Sequence, residues 1–192
     1  MENIKSYDNM VLDTIFARSS IRAYKDDPLT SEQISTLADA ALASPTAMNA
    51  QKQRFYFITD KDFILEWERF VCEDIEKNST DAMKQKMADR KGKVFYNAPL
   101  VVVIAVDNSG NFAQCDSGIA AAHLALAAKS MGLDSVILGL PKLAFKEHGD
   151  RIREKLGMDD NLDFAIAVSI GYAAMDKAPH DTDSTHVIYI DK

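Results

Sequence analysis

Arg18-Ser19-Ser20-Ile21-Arg22-Ala23-Tyr24 gathers two guanidiniums and two hydroxyls within one short strand or a single helical turn. In an extended backbone successive side chains alternate, so Arg18, Ser20, Arg22 and Tyr24 fall on one face and Ser19, Ile21 and Ala23 on the other. In a helix Arg18 and Arg22 still meet, at positions i and i+4. Both geometries bring two fixed positive charges and a hydroxyl together in a chain whose net charge is −7. Such a pair suits one phosphate or a similar anion, because each guanidinium offers a fork of donors that matches the oxygens. A solvated basic edge paired with nearby Asp26 and Asp27 is the other reading these residues leave open.

Before this stretch, Tyr7, Met10, Val11, Thr14 and Ile15 recur at helical spacing. After it, Pro28 interrupts regular structure, and Thr30-Ser31-Glu32-Gln33 fits a capping box for a helix reaching about Ala43. A loop then runs from Ser44 to Gln53 into an aromatic, β-branched strand, Arg54 to Thr59. Residues 61–96 read as helices with a break near Asn78-Ser79, Phe63, Trp67, Phe70, Val71 and Ile75 lining one face. The continuous apolar run Leu100 to Val106 suits a central strand buried on both sides. Cys115 to Met131, rich in alanine and closed by Gly132, has the composition of a core helix. A strand at Ser135–Leu138, a polar helix closing at Gly157, a strand from Asp163 to Ile170 and a last strand-like segment, Val187 to Ile190, complete the pattern. Helices mixed with four or five strands make an α/β or α+β domain, single over residues 1–192.

Composition narrows the chemistry. With 47% apolar and 27% charged residues the chain is of ordinary globular type, and its acidic balance argues against nucleic acid or an anionic membrane as partner. No apolar run reaches the ~20 residues of a membrane span, and the polar start lacks the apolar core of a signal peptide, so a cytoplasmic protein is expected. Cys72 and Cys115 read as two reduced packing thiols. The eight glycines are nowhere closer than seven residues, which rules out both dinucleotide and triphosphate glycine loops. The four histidines form no H-x-x-x-H pair and there is no C-x-x-C, so no metal site is expected. No serine sits in a G-x-S-x-G elbow.

Three motifs in order carry a resemblance. Arg18 to Tyr24 resembles the R-[RS]-S-x-R-x-[FY] opening of the nitroreductase family of FMN-dependent oxidoreductases. Ala43-Ser44-Pro45-Thr46-Ala47-Met48-Asn49-Ala50-Gln51 resembles its A-P-S-x-x-N-x-Q loop. Gly132-Leu133-Asp134-Ser135-Val136-Ile137-Leu138-Gly139 resembles its G-L-x-[ST]-x-x-x-G, and Ile170-Gly171-Tyr172 resembles the usual end of its last core strand. The resemblance implies an α+β fold with a mixed, mainly antiparallel sheet flanked by helices, assembled as an intertwined homodimer with FMN sites at the subunit interface. It further implies a helical lid over residues 61–96, with Trp67, Phe70, Phe95 and Tyr96 available to stack on a planar substrate, and a C-terminal extension, 173–192, reaching the partner subunit. The implied activity is ping-pong transfer of a hydride from NADH or NADPH, a transient donor, through FMN to a nitroaromatic, quinone or similar small acceptor. A flavin storage or sensing protein, or a specialised dehalogenase or flavin-destroying synthase on the same fold, are the alternatives.

By the same resemblance, Arg18 and Ser20, with Ser19 adjacent, hold the phosphate and ribityl chain of FMN. Arg22 reaches the pyrimidine edge, where a fixed cation stabilises the negative charge gained on reduction. Asn49 matches the alternating N3–O4 edge, with Gln51 behind it. Leu138 and Gly139 offer backbone N–H groups to N5 and O4, glycine permitting close approach. No protein acid or base is expected, the chemistry being on the flavin. Two departures stand out. Lys52-Gln53 replaces the usual Pro-Trp, and the tail has Ala178-Pro179-His180-Asp181-Thr182 where relatives carry a basic pair. Lys177 is the nearest cation, so weaker FMN retention is expected.

Overall fold

The structure is a computed structural model that describes residues 8–107, 109 and 111–190. Helix α1 spans Met10–Ala17, α2 Ser31–Leu42, α3 Lys61–Asn78, α4 Asp81–Asp89, α5 Ala113–Ser130 and α6 Phe145–Leu156; strand β1 spans Gln53–Ile58, β2 Leu100–Val106, β3 Asp134–Leu138 and β4 Asp163–Gly171. The strands form one sheet in the order β1-β2-β4-β3, each neighbouring pair antiparallel. Among the described residues, parallel pairing is confined to an isolated bridge between Ser20 and Ser135. The expected helix at the start is present as α1, though Tyr7 lies outside the described residues.

The unbroken apolar run of β2 is explained by its two covered faces. Val101 and Val103 point into a core with Trp67, Val71 and Phe95 on the α3 side, whereas Leu100, Val102 and Ile104 point into a second core with Leu37, Ala120 and Leu124 from α2 and α5. Both helix starts follow their cap chemistry: Thr30 Oγ1 accepts from the Gln33 N–H while Gln33 Oε1 accepts from the Thr30 N–H, and Asp60 Oδ1 accepts from the Phe63 N–H. Gly132, at φ +75°, ends α5 in the left-handed conformation that glycine adopts without penalty.

Two expectations change. Trp67, Phe70, Phe95 and Tyr96 are all buried, with Trp67 meeting Phe95, Phe145 and Phe164 edge-on and donating its Nε1–H to the Pro141 carbonyl. These aromatics form the core around α3 and are not free to stack on a substrate. Val187 to Ile190, expected as a strand, joins no ladder among the described residues; the four side chains stand 56 to 94% exposed after a single turn at Ser184–His186.

Candidate functional site

The arginine stretch is extended, and it is threaded between β3 and the tail. The Ile21 N–H donates to the Ser135 carbonyl at 3.1 Å, the Lys25 N–H to Tyr172, and the Ala174 N–H to Ala23. Ser19 is buried, its hydroxyl donating to the Lys177 carbonyl at 2.9 Å. Arg18 and Ser20 are half-buried and Arg22 is exposed. The alternation holds from Arg18 to Arg22 and then breaks, because Tyr24 turns inward; its hydroxyl proton is shared between the carbonyls of Ile21 and Ser169. The outward face is therefore Arg18, Ser20 and Arg22 without Tyr24.

Charge partners separate the two readings of this stretch. Asp26 pairs with Lys61 at 3.1 Å, and among the described residues no carboxylate makes an ion pair with Arg18 or Arg22, nor does Asp27 make one with any cation. Among the described residues, the hydrogen bond of Arg22 goes to the Ser20 carbonyl, at 3.5 Å. Two guanidiniums left without carboxylates on one side of the chain favour an anion from outside it.

Asn49 and Gln51 lie in a loop of unusual backbone. Met48, Asn49 and Gln51 all have positive φ, from 48° to 54°. The Gln51 Nε2 group donates to Asn49 Oδ1 at 2.7 Å, and the Gln51 N–H to Thr46 Oγ1. A carboxylate that sequence reasoning passed over fixes the start of this loop: buried Asp116, in the first turn of α5, accepts from the Ala47 N–H through both oxygens at 3.1 and 3.2 Å. The available signal was the single acid in an alanine-rich helix. Lys52 turns away along the next turn, its Nζ donating to Ser109 Oγ at 2.6 Å and lying 3.8 Å from Asp107. The Ser109 N–H, ahead of the Lys52 charge, holds the Asp107 carboxyl below its usual range. Lys52 is thus spoken for.

Leu138 is buried at the end of β3, and Gly139 follows it exposed, with φ −91° and ψ −22°. Any residue can adopt that backbone, and a Cβ placed there would meet no protein atom within 4 Å. Nothing in the fold itself requires glycine at 139, which leaves space for a flat group to approach the backbone. Gly171 is the opposite case: a Cβ there would stand 2.6 Å from Pro99 Cδ and 3.1 Å from Tyr24 Cδ1.

Strand order decides which of these residues can act together. Arg18, Ser19, Ser20 and Arg22 lie beside β3 with Leu138 and Gly139, at one edge of the sheet, whereas Asn49 and Gln51 lead into β1 at the other. Three strand spacings, about 14 Å, separate those edges. A cavity of about 370 Å³ between α2, α3 and residues 97–99 is lined by none of the eight expected residues. Among the described residues no cluster of His, Cys, Asp or Glu could hold a metal, and no helix is long and apolar enough to cross a membrane.

Comparison with known proteins agrees with the motifs. Residues 15–172 match the model of the Nitroreductase family. A relative from Archaeoglobus fulgidus, named for NADH dehydrogenase or NAD(P)H nitroreductase activity, is 27% identical over 178 residues, 90% of this chain and 90% of that protein. The FMN reductase (NADPH) of Bacillus subtilis is 25% identical over 179 residues, 86% of this chain and 67% of that one. The nitroreductase of Desulfitobacterium hafniense, solved with bound FMN, superposes with a TM-score of 0.92 at 28% identity, covering 95% of this chain and 99% of that one. With its motifs in order, its fold matched over nearly the whole chain and the family model spanning most of its length, this chain belongs to the nitroreductase family.

Proposed function

We propose that the protein is a homodimeric, FMN-dependent NAD(P)H oxidoreductase whose two flavin sites are each assembled from both subunits. The observation that carries the shared site is the separation of its parts. Asn49 and Gly139 are assigned to adjacent atoms of one flavin edge, yet they belong to opposite edges of the sheet. A second copy brings its Asn49 to the ring that this chain's Gly139 meets.

The surface supports that second copy. Helix α5 is apolar on nearly all sides, and such a helix is normally covered all round, yet Cys115, Gly118 and Ala122 are exposed along one stripe. Met10, Val11 and Ile15 of α1 are exposed as well. Strand β1 is an edge, and the apolar segment Val187 to Ile190 is a strand sequence without a ladder. Pairing that segment with another copy would satisfy both.

When bound, FMN supplies the redox chemistry, taking a hydride from NADH or NADPH and returning electrons to a nitroaromatic, quinone or similar acceptor. The chain's own contribution is binding and electrostatics. Arg18 and Ser20 present charge and hydroxyl to a phosphate, Arg22 places an unpaired cation where negative charge gathers, and Asn49 offers an amide that both donates and accepts. The open backbone at Gly139 admits the ring edge. Both cysteines are free thiols, which fits a reducing, cytoplasmic setting.

Anaerobic mixing of the FMN-loaded protein with NADH or NADPH tests the activity. Rapid bleaching of the flavin absorbance with either donor is expected. A spectrum unchanged by both would replace the reductase reading with flavin storage.

A further inference from the structure

Residues 47–51 adopt a backbone that their own sequence does not favour. Met48, Asn49 and Gln51 are all left-handed, a conformation that is strained for residues other than glycine, asparagine least. A loop of this kind persists only where its surroundings over-determine it. The bonds within the loop, from the Gln51 N–H to Thr46 Oγ1 and from Gln51 Nε2 to Asn49 Oδ1, shape it but do not tie it to the body of the protein. At its exit the loop runs into β1; at its entry the tie is at Ala47, where the short turn carrying Asn49 begins, and it is made by the Asp116 carboxylate, 8% exposed.

We infer that Asp116 is a positioning residue for flavin binding: it clamps the Ala47 N–H to the first turn of α5 and so fixes the Asn49 amide at the angle at which it meets the FMN ring. The inference rests on the assignment of Asn49 to the flavin. The geometry suits the task. Both carboxylate oxygens share one N–H, so the contact survives small rotations of the side chain, and burial keeps water from competing for it. α5 also carries the exposed stripe through which a second copy would pack, so the clamp references Asn49 to the same rigid element as the partner subunit. An acid in the first turn would by itself also stabilise α5 against its helix dipole. That role alone would leave the loop, and the flavin, untouched by the substitution.

The test is a double-mutant cycle read by the FMN dissociation constant of the full-length protein, followed by quenching of flavin fluorescence. Asn49→Ala and Asp116→Ala are each expected to weaken FMN about tenfold, and the double variant to be no weaker than the worse single one, because Asp116 acts through Asn49. Asp116→Asn, which keeps one acceptor oxygen for Ala47, is expected to recover most of the loss. If Asp116→Ala does not fold, Asp116→Leu replaces it, filling a similar buried volume with no acceptor for the Ala47 N–H. Normal affinity in Asn49→Ala would remove the flavin assignment on which the inference rests. Weak binding in Asn49→Ala with normal binding in the Asp116 variant would overturn the clamp itself, and so would fully additive losses. Equal losses in Asp116→Asn and Asp116→Ala would also overturn the clamp, because the acceptor oxygen that Asn keeps for the Ala47 N–H would then make no difference.

Discussion

The Ser19 hydroxyl donates to the Lys177 carbonyl at 2.9 Å, across 158 residues of sequence. With the Lys25–Tyr172 and Ala174–Ala23 backbone bonds, it lays the tail alongside the arginine stretch. The Lys177 backbone is thereby held beside Ser19, next in sequence to Arg18.

Removing Arg18 should weaken FMN by about 1.5–3 kcal/mol, the value of a charge-assisted hydrogen bond, whereas Lys177→Ala, which removes an exposed charge, should cost about 0.5–1 kcal/mol. Both variants should also bind FMN with a shallower dependence on salt than the parent protein. Flavin titrations at low and high ionic strength measure this. An unchanged salt dependence in Arg18→Ala would show that the phosphate lies elsewhere.

The two glycines at the ends of β3 and β4 should separate stability from binding. Gly171→Ala forces a Cβ against Pro99 and Tyr24 and should destabilise the protein by about 1–3 kcal/mol. Gly139→Ala has an ordinary backbone and open space. It should leave the apoprotein's melting temperature unchanged or slightly raised, since alanine lowers the entropy of the unfolded chain, while FMN affinity falls. A stability loss at 139 equal to that at 171 would contradict the ligand reading of Gly139.

Tyr24 gives a pH dependence. Burial first, with the charge of Asp134 adding to it, holds its hydroxyl far above the ordinary ionisation range, which lies near pH 10. Its folded pKa being raised, the stability it contributes is complete below about pH 10 and is lost as pH rises further, by up to about 1.4 kcal/mol per pH unit, because only the unfolded chain releases the proton. Tyr24→Phe should be less stable than the parent at neutral pH, having lost a buried hydrogen bond, and the gap should close in alkali. Urea midpoints measured at both ends of that range would show a constant gap if Tyr24 ionised normally.

Ala122 is exposed in a single chain, so Ala122→Glu would be harmless to a monomer. In the proposed dimer it buries a charge against the second α5. Sedimentation should show dissociation, with FMN lost in parallel; an intact dimer that retains its flavin would move the interface elsewhere.

Much of this fold was legible because local signals agreed. Thr30 and Gln33 marked a helix start, Gly132 a helix end, and the run from Leu100 to Val106 a strand covered on both faces. The candidate site residues stand out as motifs, but their grouping does not. Only the strand order shows that Asn49 and Gly139 lie at opposite edges, and sequence spacing carries no information on that. Tyr24 defeated the alternation rule because its hydroxyl finds two buried carbonyls. The stacking aromatics failed as a guide because Trp67 and its neighbours serve the core equally well. Asp116 was passed over because its partner is a backbone N–H, which leaves no trace in the side-chain pattern.

The central claim is that each flavin site takes its arginines and Gly139 from one subunit and Asn49 from the other. Heterodimers carrying Arg22→Ala in one chain and Asn49→Ala in the other, purified through two different tags, test it directly by bound FMN and the rate of its reduction. A shared site puts both substitutions into one pocket and leaves the other wild-type, so about half of the parental flavin and activity should return, well above either mutant homodimer. A heterodimer as poor in FMN as the two homodimers would contradict the account.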